Sequence, residues 1–207
     1  GYAAGLDSAT FAGARVGLYG TGWRSKPISA ETQALYDAAI GTISGLGATT
    51  VADPFAGTGF SDLALNMEFD DRGLESIVYD LEMFLRRLGP AAAATSFAAL
   101  KGLLSEDPFA SEKLLGIHAK KPVLAKSLID ATVPPDLSEF LAAREAYLAI
   151  FDKVMAHKQL DVLVFPQMSE ALPGIFSEAT YPATTVSEIN IAGLPGVTVP
   201  PSRNAGL

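Results

Sequence analysis

The chain has 207 residues, 49% of them apolar and 18% charged, a composition that suits a globular chain and excludes a disordered or fibrous one. Its formal charge of −8 opposes a phosphate backbone, and the pair Lys120-Lys121 is no basic stripe, so nucleic acid is excluded as a partner. With no cysteine, disulfides, thiolate metal sites and a cysteine nucleophile are excluded as well.

In chain order, Ala14-Arg15-Val16-Gly17-Leu18-Tyr19 predicts a short strand, broken by Gly20, Gly22 and Pro27. Ser29 to Leu46 predicts a helix, with Ser29 as N-cap, Glu31 in the first turn and Gly47 just past the end. Its apolar positions are Leu35, Ala39, Ile43 and Leu46. Thr49 to Ala52 predicts a second strand, and strand, helix, strand with short links implies a parallel pair. Pro54 to Ser61 reads as loop, with Gly57-Thr58-Gly59 as a turn. Leu63 to Leu88 predicts helix in two pieces, interrupted near Asp70-Asp71-Arg72-Gly73 and stopped by Gly89-Pro90. Shorter helices are predicted over Phe97 to Leu104 and Pro108 to Gly116.

A long helix follows, capped by Asp136 or Ser138 and ending near Lys158. Its apolar stripe is Leu137, Phe140, Leu141, Leu148, Phe151 and Met155. Asp161-Val162-Leu163-Val164-Phe165-Pro166 predicts a buried strand ended by a proline that cannot donate to a ladder. Thr184 to Ile191 predicts a short helix, and Val197-Thr198-Val199-Pro200 a last strand. No apolar run approaches the ~20 residues of a membrane span. The first residues carry no basic or apolar leader, so the expected compartment is cytoplasmic and no membrane partner is expected.

The last third carries the most specific pattern. Leu160-Asp161-Val162-Leu163-Val164-Phe165-Pro166, followed by Asn190-Ile191-Ala192-Gly193-Leu194-Pro195-Gly196-Val197-Thr198-Val199-Pro200, resembles the amidase-signature family of hydrolases. There a "D-x-L-hydrophobic-x-P" strand precedes an "N-hydrophobic-x-G-hydrophobic-P-[AG]-hydrophobic-[ST]-V-P" segment. Upstream, Gly13 to Leu18 is similar to the family's "G-hydrophobic-R-I-G-V" strand, and Leu46 to Val51 to its "L-G-A-x-V" strand. Tyr79 to Leu85 stands where members have an "F-x-x-D-L-x-x-Y-L" helix. The patches keep the family's order across nearly the whole chain. Ser202-Arg203-Asn204 departs from it, replacing the usual glycine after the last strand's proline.

The resemblance implies an α/β fold with a mixed β-sheet sandwiched between helices, and residues 1–207 as the C-terminal portion of a single amidase domain. It implies hydrolysis of a carboxamide through a serine acyl-enzyme, using a Ser-Ser-Lys triad. A serine hydroxyl needs a base within hydrogen-bond reach, a lysine base needs a lowered pKa, and the oxyanion needs pre-placed N–H donors. In the family these parts precede everything matched here. The chain holds no Gly-Gly-Ser-Ser-Gly-Gly segment, no S-x-x-K and no G-x-S-x-G, and Ser25-Lys26 and Lys126-Ser127 are neighbours in sequence only. No catalytic residue is therefore assigned to this chain, and no metal or cofactor is expected. The expected partners are a small-molecule amide and an N-terminal segment of the same enzyme.

Candidate substrate-binding residues follow. Arg144 lies four after Phe140 and four before Leu148 on the apolar stripe, where a charge must snorkel, pair or face a ligand. In amidotransferase members an arginine at the matching place reaches a substrate carboxylate. Those members also carry an aspartate where this chain has Ala183, which argues against an amino-acid side chain as substrate. Thr184, Thr185, Val186 and Ile189 match the segment that lines the family's acyl pocket, and helix capping by the threonines is the plain alternative. Pro166 and Gln167 follow a strand at its carboxyl end, where α/β sheets place ligands. Asn190 and Gly193 read as structural, Glu68, Asp70 and Asp71 as solvated carboxylates, and His118 and His157 as isolated. Two readings remain open: a piece of an active amidase, or a non-catalytic binding or structural module on the same fold. The first expects residues 161–166 and 196–200 to be covered by another polypeptide segment. The second expects a closed core.

Overall fold

The computed structural model describes residues 5, 8–63, 74–110, 116, 125, 128–177, 179 and 183–199. It has two compact units, one formed by Gly1–Asn66 with Arg144–Leu207 and the other by Met67–Ala143.

The first unit is built on a three-stranded sheet. Strand β1 is Arg15–Leu18, helix α1 is Ala30–Gly45 and strand β2 is Thr49–Val51. Ser29 caps α1 by accepting the Thr32 N–H at 3.1 Å. Gly47 follows at φ 95, in the left-handed region that ends helices without a Cβ penalty. β1 and β2 are parallel, with Arg15 opposite Thr49 and Gly17 opposite Val51. The predicted βαβ unit is therefore present. A short helix α2, Phe60–Leu63, follows the turn at Gly57 and Gly59.

The second unit contains helices α3, Leu74–Arg87, and α4, Phe97–Leu103. Ser96 caps α4 through the Ala99 N–H, and Val78, Phe97 and Phe109 form a buried core with Ile77, Leu81, Leu128 and Ala131 against it. Phe97 meets Phe109 edge to face at 5.3 Å. Glu82 is buried between the two helices: it accepts the Phe97 N–H at 2.6 Å and the Arg86 guanidinium at 2.7 Å. These partners hold its carboxyl below the usual range, the Phe97 N–H first and Arg86 second. The predicted break near residues 70–73 and most of the predicted helix over 108–116 lie outside the described residues.

Helix α5 is Ser138–Lys158, and Asp136 accepts the Ser138 N–H at its start. Its buried side chains are Tyr147 and Val154, whereas Leu141 is half exposed. The other predicted stripe residues, Leu137, Phe140, Leu148, Phe151 and Met155, are partly buried, and Phe151 meets Phe55; Tyr147, which the stripe does not include, is buried against Phe60. Strand β3, Val162–Val164, follows. It lies parallel to β1, with Val16 opposite Val162, and the strand order is β2-β1-β3.

The expected mixed sheet is thus corrected to an all-parallel one, the only antiparallel pairing among the described residues being the isolated bridge Met168–Thr184. Helical crossovers return the chain in the same direction and so give parallel neighbours. Two further predictions change. The helix expected over Thr184 to Ile191 begins later, as α6, Ser187–Ala192. The strand expected at Val197 to Pro200 does not form over its described residues, and Val197 and Val199 are 91% and 75% exposed. A strand needs a ladder partner, and none meets this segment among the described residues. Among the described strands β3 lies at an edge of the sheet, and Val162, expected in a buried strand, is 41% exposed. No helix among the described residues is long and apolar enough to cross a membrane.

Candidate functional site

The strand order reverses about β1, which has β2 on one side and β3 on the other. In open parallel sheets this reversal opens a crevice beyond the carboxyl ends of the strands. Three loops meet that end here: Tyr19 to Lys26 after β1, Asp53 to Thr58 after β2 and Phe165 to Gln167 after β3.

The first loop is held tightly. The Asp53 carboxylate accepts the Gly22 N–H at 3.1 Å, and its backbone adopts φ 37, which few non-glycine residues tolerate. Gly22 lies so close to Phe55 and Ala56 that an added Cβ would run into their backbone. The Tyr19 hydroxyl donates to the carbonyls of Arg24 and Lys26 at 3.2 and 3.1 Å. Burial, the largest cause, raises its pKa.

Trp23 then enters an aromatic cluster. It stacks on Phe165 at 5.5 Å, meets Phe60 at 4.7 Å and takes Phe55 edge-on at 5.2 Å. Phe60 continues to Tyr147 at 4.9 Å and Phe55 to Phe151 at 6.2 Å. Only a void of about 10 Å³ remains among Leu18, Tyr19, Trp23, Phe55, Leu163 and Phe165. This face of the crevice is packed by the chain's own rings.

The Thr184–Ala192 segment occupies the other side. Thr185 is fully buried: its N–H donates to the Gln167 carbonyl at 3.0 Å, its hydroxyl to the Pro166 carbonyl, and its own carbonyl accepts the Trp23 indole N–H at 3.0 Å. Arg24 reaches the same segment. Its Nη1 donates to the Thr184 carbonyl, and its Nε lies 3.1 Å from the Glu188 carboxylate. The Glu188 side chain is 1% exposed and that of Arg24 17%. A buried carboxylate on a six-residue helix is costly unless paired, and Arg24 lies within ion-pair distance of it.

Pro166, Gln167, Thr184 and Thr185 are thus brought together, joined by backbone bonds at the end of β3. Val186 stands at the N-cap of α6 without a side-chain cap bond, so the threonines do not cap that helix and the Thr185 hydroxyl is turned to Pro166 instead. Ile189 accepts the Leu194 N–H and lies beside Gly196. The Gln167 side chain accepts from the Thr198 hydroxyl at 3.3 Å. Arg144 sits apart from Thr185, at the other end of α6. Its guanidinium covers Gly193, where a Cβ would lie 2.8 Å from Nη2. Arg144 is exposed, and no carboxylate among the described residues pairs with it.

Gly193 is the left-handed C-cap of α6 at φ 68, the structural role expected for it. Of the lysines, Lys26, Lys153 and Lys158 are exposed, Lys101 pairs with Asp107 at 2.8 Å, and Lys126-Ser127 lies outside the described residues. His157 is exposed, while His118, Glu68, Asp70 and Asp71 lie outside the described residues.

Sequence reasoning missed Trp23, Arg24, Asp53 and Glu188. One signal was available for Glu188: it shares a helical face with Ile191 and Ala192, all three buried, so a charge stood on an apolar face. Arg24 and Thr184 are 160 positions apart, and nothing local in either announces the other.

No protein-family model, curated protein or solved structure matches the chain.

Proposed function

We propose that this chain forms part of an amidohydrolase of the amidase-signature type, which hydrolyses a carboxamide to carboxylate and amine or ammonia through a serine acyl-enzyme. In this reading the nucleophile lies outside these residues. The chain contributes part of the sheet and the wall that faces the acyl group, made by Pro166, Gln167 and Thr184 to Ile189, with Arg144 at the far end of α6.

The observation that carries the reading is the convergence of the separate motif patches. The "R-V-G-L" and "D-V-L-V-F-P" strands pair in parallel in one sheet, and the "N-I-A-G" segment ends the helix whose leading residues Thr184 and Thr185 bond to the end of β3. Arg144 on α5 lies against Gly193 of the last motif, although nothing in the local pattern of either demands it. The edge that β3 presents among the described strands and the exposed valines Val197 and Val199 fit a sheet completed by another segment.

The test is an activity measurement on the full-length protein and on this chain alone, with simple aryl and alkyl amides. The reading expects ammonia or amine release from the full-length protein and none from the chain. A full-length protein inert towards every carboxamide, with the chain folding stably alone, favours the non-catalytic module instead.

A further inference from the structure

Resting on that reading, we propose that Arg24 and Glu188 are positioning residues whose buried ion pair fixes the register of the Thr184–Ile189 wall and thereby selects the acyl group.

The wall has little to hold it by itself. α6 has six residues, too short to be stable alone, and its N-cap supplies no side-chain bond. What orients it is the dipeptide Trp23-Arg24. The indole N–H donates to the Thr185 carbonyl, the guanidinium donates to the Thr184 carbonyl, and its Nε lies 3.1 Å from the carboxylate of Glu188, four residues further on. A guanidinium fork that donates to a backbone carbonyl and pairs with a carboxylate four residues on ties the segment to the loop after β1 at two points. Asp53, by gripping Gly22, holds the base of the fork.

A merely stabilising role can be separated from a positioning one. A buried ion pair replaced by apolar side chains of similar volume often leaves stability unchanged or improved, whereas breaking one partner leaves a buried charge. The double variant Arg24→Met/Glu188→Leu therefore keeps the packing and removes the directional grip.

The experiment compares kcat and KM of the full-length protein and this double variant across a series of straight-chain and aryl carboxamides, with thermal melts alongside. The expected result is a Tm close to that of the parent and a ratio of kcat/KM between bulky and small acyl groups altered by about tenfold, mostly through KM. The conservative variant Arg24→Lys keeps the charge but not the fork, and it should alter the same ratio. Unchanged selectivity in a double variant that melts like the parent overturns the proposal and leaves the amidase reading standing. A double variant that does not fold also overturns it, since the pair is then needed for stability. A parent protein that hydrolyses no amide defeats the amidase reading itself, and this inference with it.

Discussion

The Tyr36 hydroxyl donates to the Val164 carbonyl at 2.6 Å, so the buried side chain of α1 closes the end of the ladder between β1 and β3. The same oxygen accepts the Tyr19 N–H at 2.7 Å. One phenol thereby ties a helix to two strands at the end of the sheet where the candidate site lies.

Removing that hydroxyl in Tyr36→Phe should cost about 1 kcal/mol, since the part-buried Val164 carbonyl loses one donor but keeps the Tyr19 N–H, and the ring still packs. Urea denaturation of the parent and variant measures it. Burial, the largest cause, pushes the Tyr36 pKa from 10.0 up to about 12. The neutral phenol is the form the fold favours. Its contribution is complete below the unfolded value of 10.0 and is lost as pH rises through about 12. The difference in stability between parent and Tyr36→Phe should therefore shrink over that alkaline window.

Two glycines separate close packing from mere flexibility. Gly22 abuts the backbone of Phe55 and Ala56, and Gly41 in α1 has nothing near where a Cβ would stand. Gly22→Ala should destabilise the first unit by about 2–4 kcal/mol, because neither backbone can give way easily. Gly41→Ala should stabilise it by about 0.5–1 kcal/mol through helix propensity. Thermal melts of the two variants should move in opposite directions.

Glu82 contributes to the acid dependence of the second unit. Its carboxylate is favoured in the fold by the Phe97 N–H and then by Arg86, so its contribution is present above the ordinary value of 4.5 and is lost as pH falls through its lowered value. Glu82→Ala should cost about 2 kcal/mol by leaving the Phe97 N–H without a partner. Glu82→Gln should recover part of that and flatten the loss of stability in acid. Hydrogen exchange at Phe97, followed from neutral pH downward, reads both effects.

At Gly193 the left-handed backbone and the Arg144 guanidinium act together. Gly193→Ala should cost about 1–2 kcal/mol from φ strain and push the arginine off the helix end. The guanidinium is a flexible tip, so repeating the substitution in an Arg144→Ala background should recover only about 0.5 kcal/mol or less. A double-mutant cycle in denaturant measures the coupling.

Much of the first unit is legible in the chain. Ser29, Glu31 and Gly47 delimit α1 by local chemistry, and short links on either side force the parallel pair Arg15–Leu18 and Thr49–Val51. Periodicity alone is weaker. On α5 it picks Phe151, which packs on Phe55, but also Leu141, which ends half exposed, and it omits Tyr147, whose burial is set by Phe60 across space. The same applies to Val197 and Val199, whose alternation is that of a strand but which meet no ladder partner among the described residues. At the candidate site, the motif resemblance singles out Pro166, Gln167, Thr184 and Thr185, which the structure brings together at the end of β3. The clamp of Trp23, Arg24 and Glu188 is not legible, since it is made by groups far apart in the chain with no shared local pattern.

The central claim is that the attacking serine belongs to a segment other than this one. The most direct measurement is to label the full-length protein with a serine-reactive fluorophosphonate and map the modified peptide by mass spectrometry. The account predicts a single modified serine outside these 207 residues, with amide hydrolysis lost in step with labelling. A modified serine inside them, or full hydrolysis persisting after complete labelling elsewhere, would contradict it.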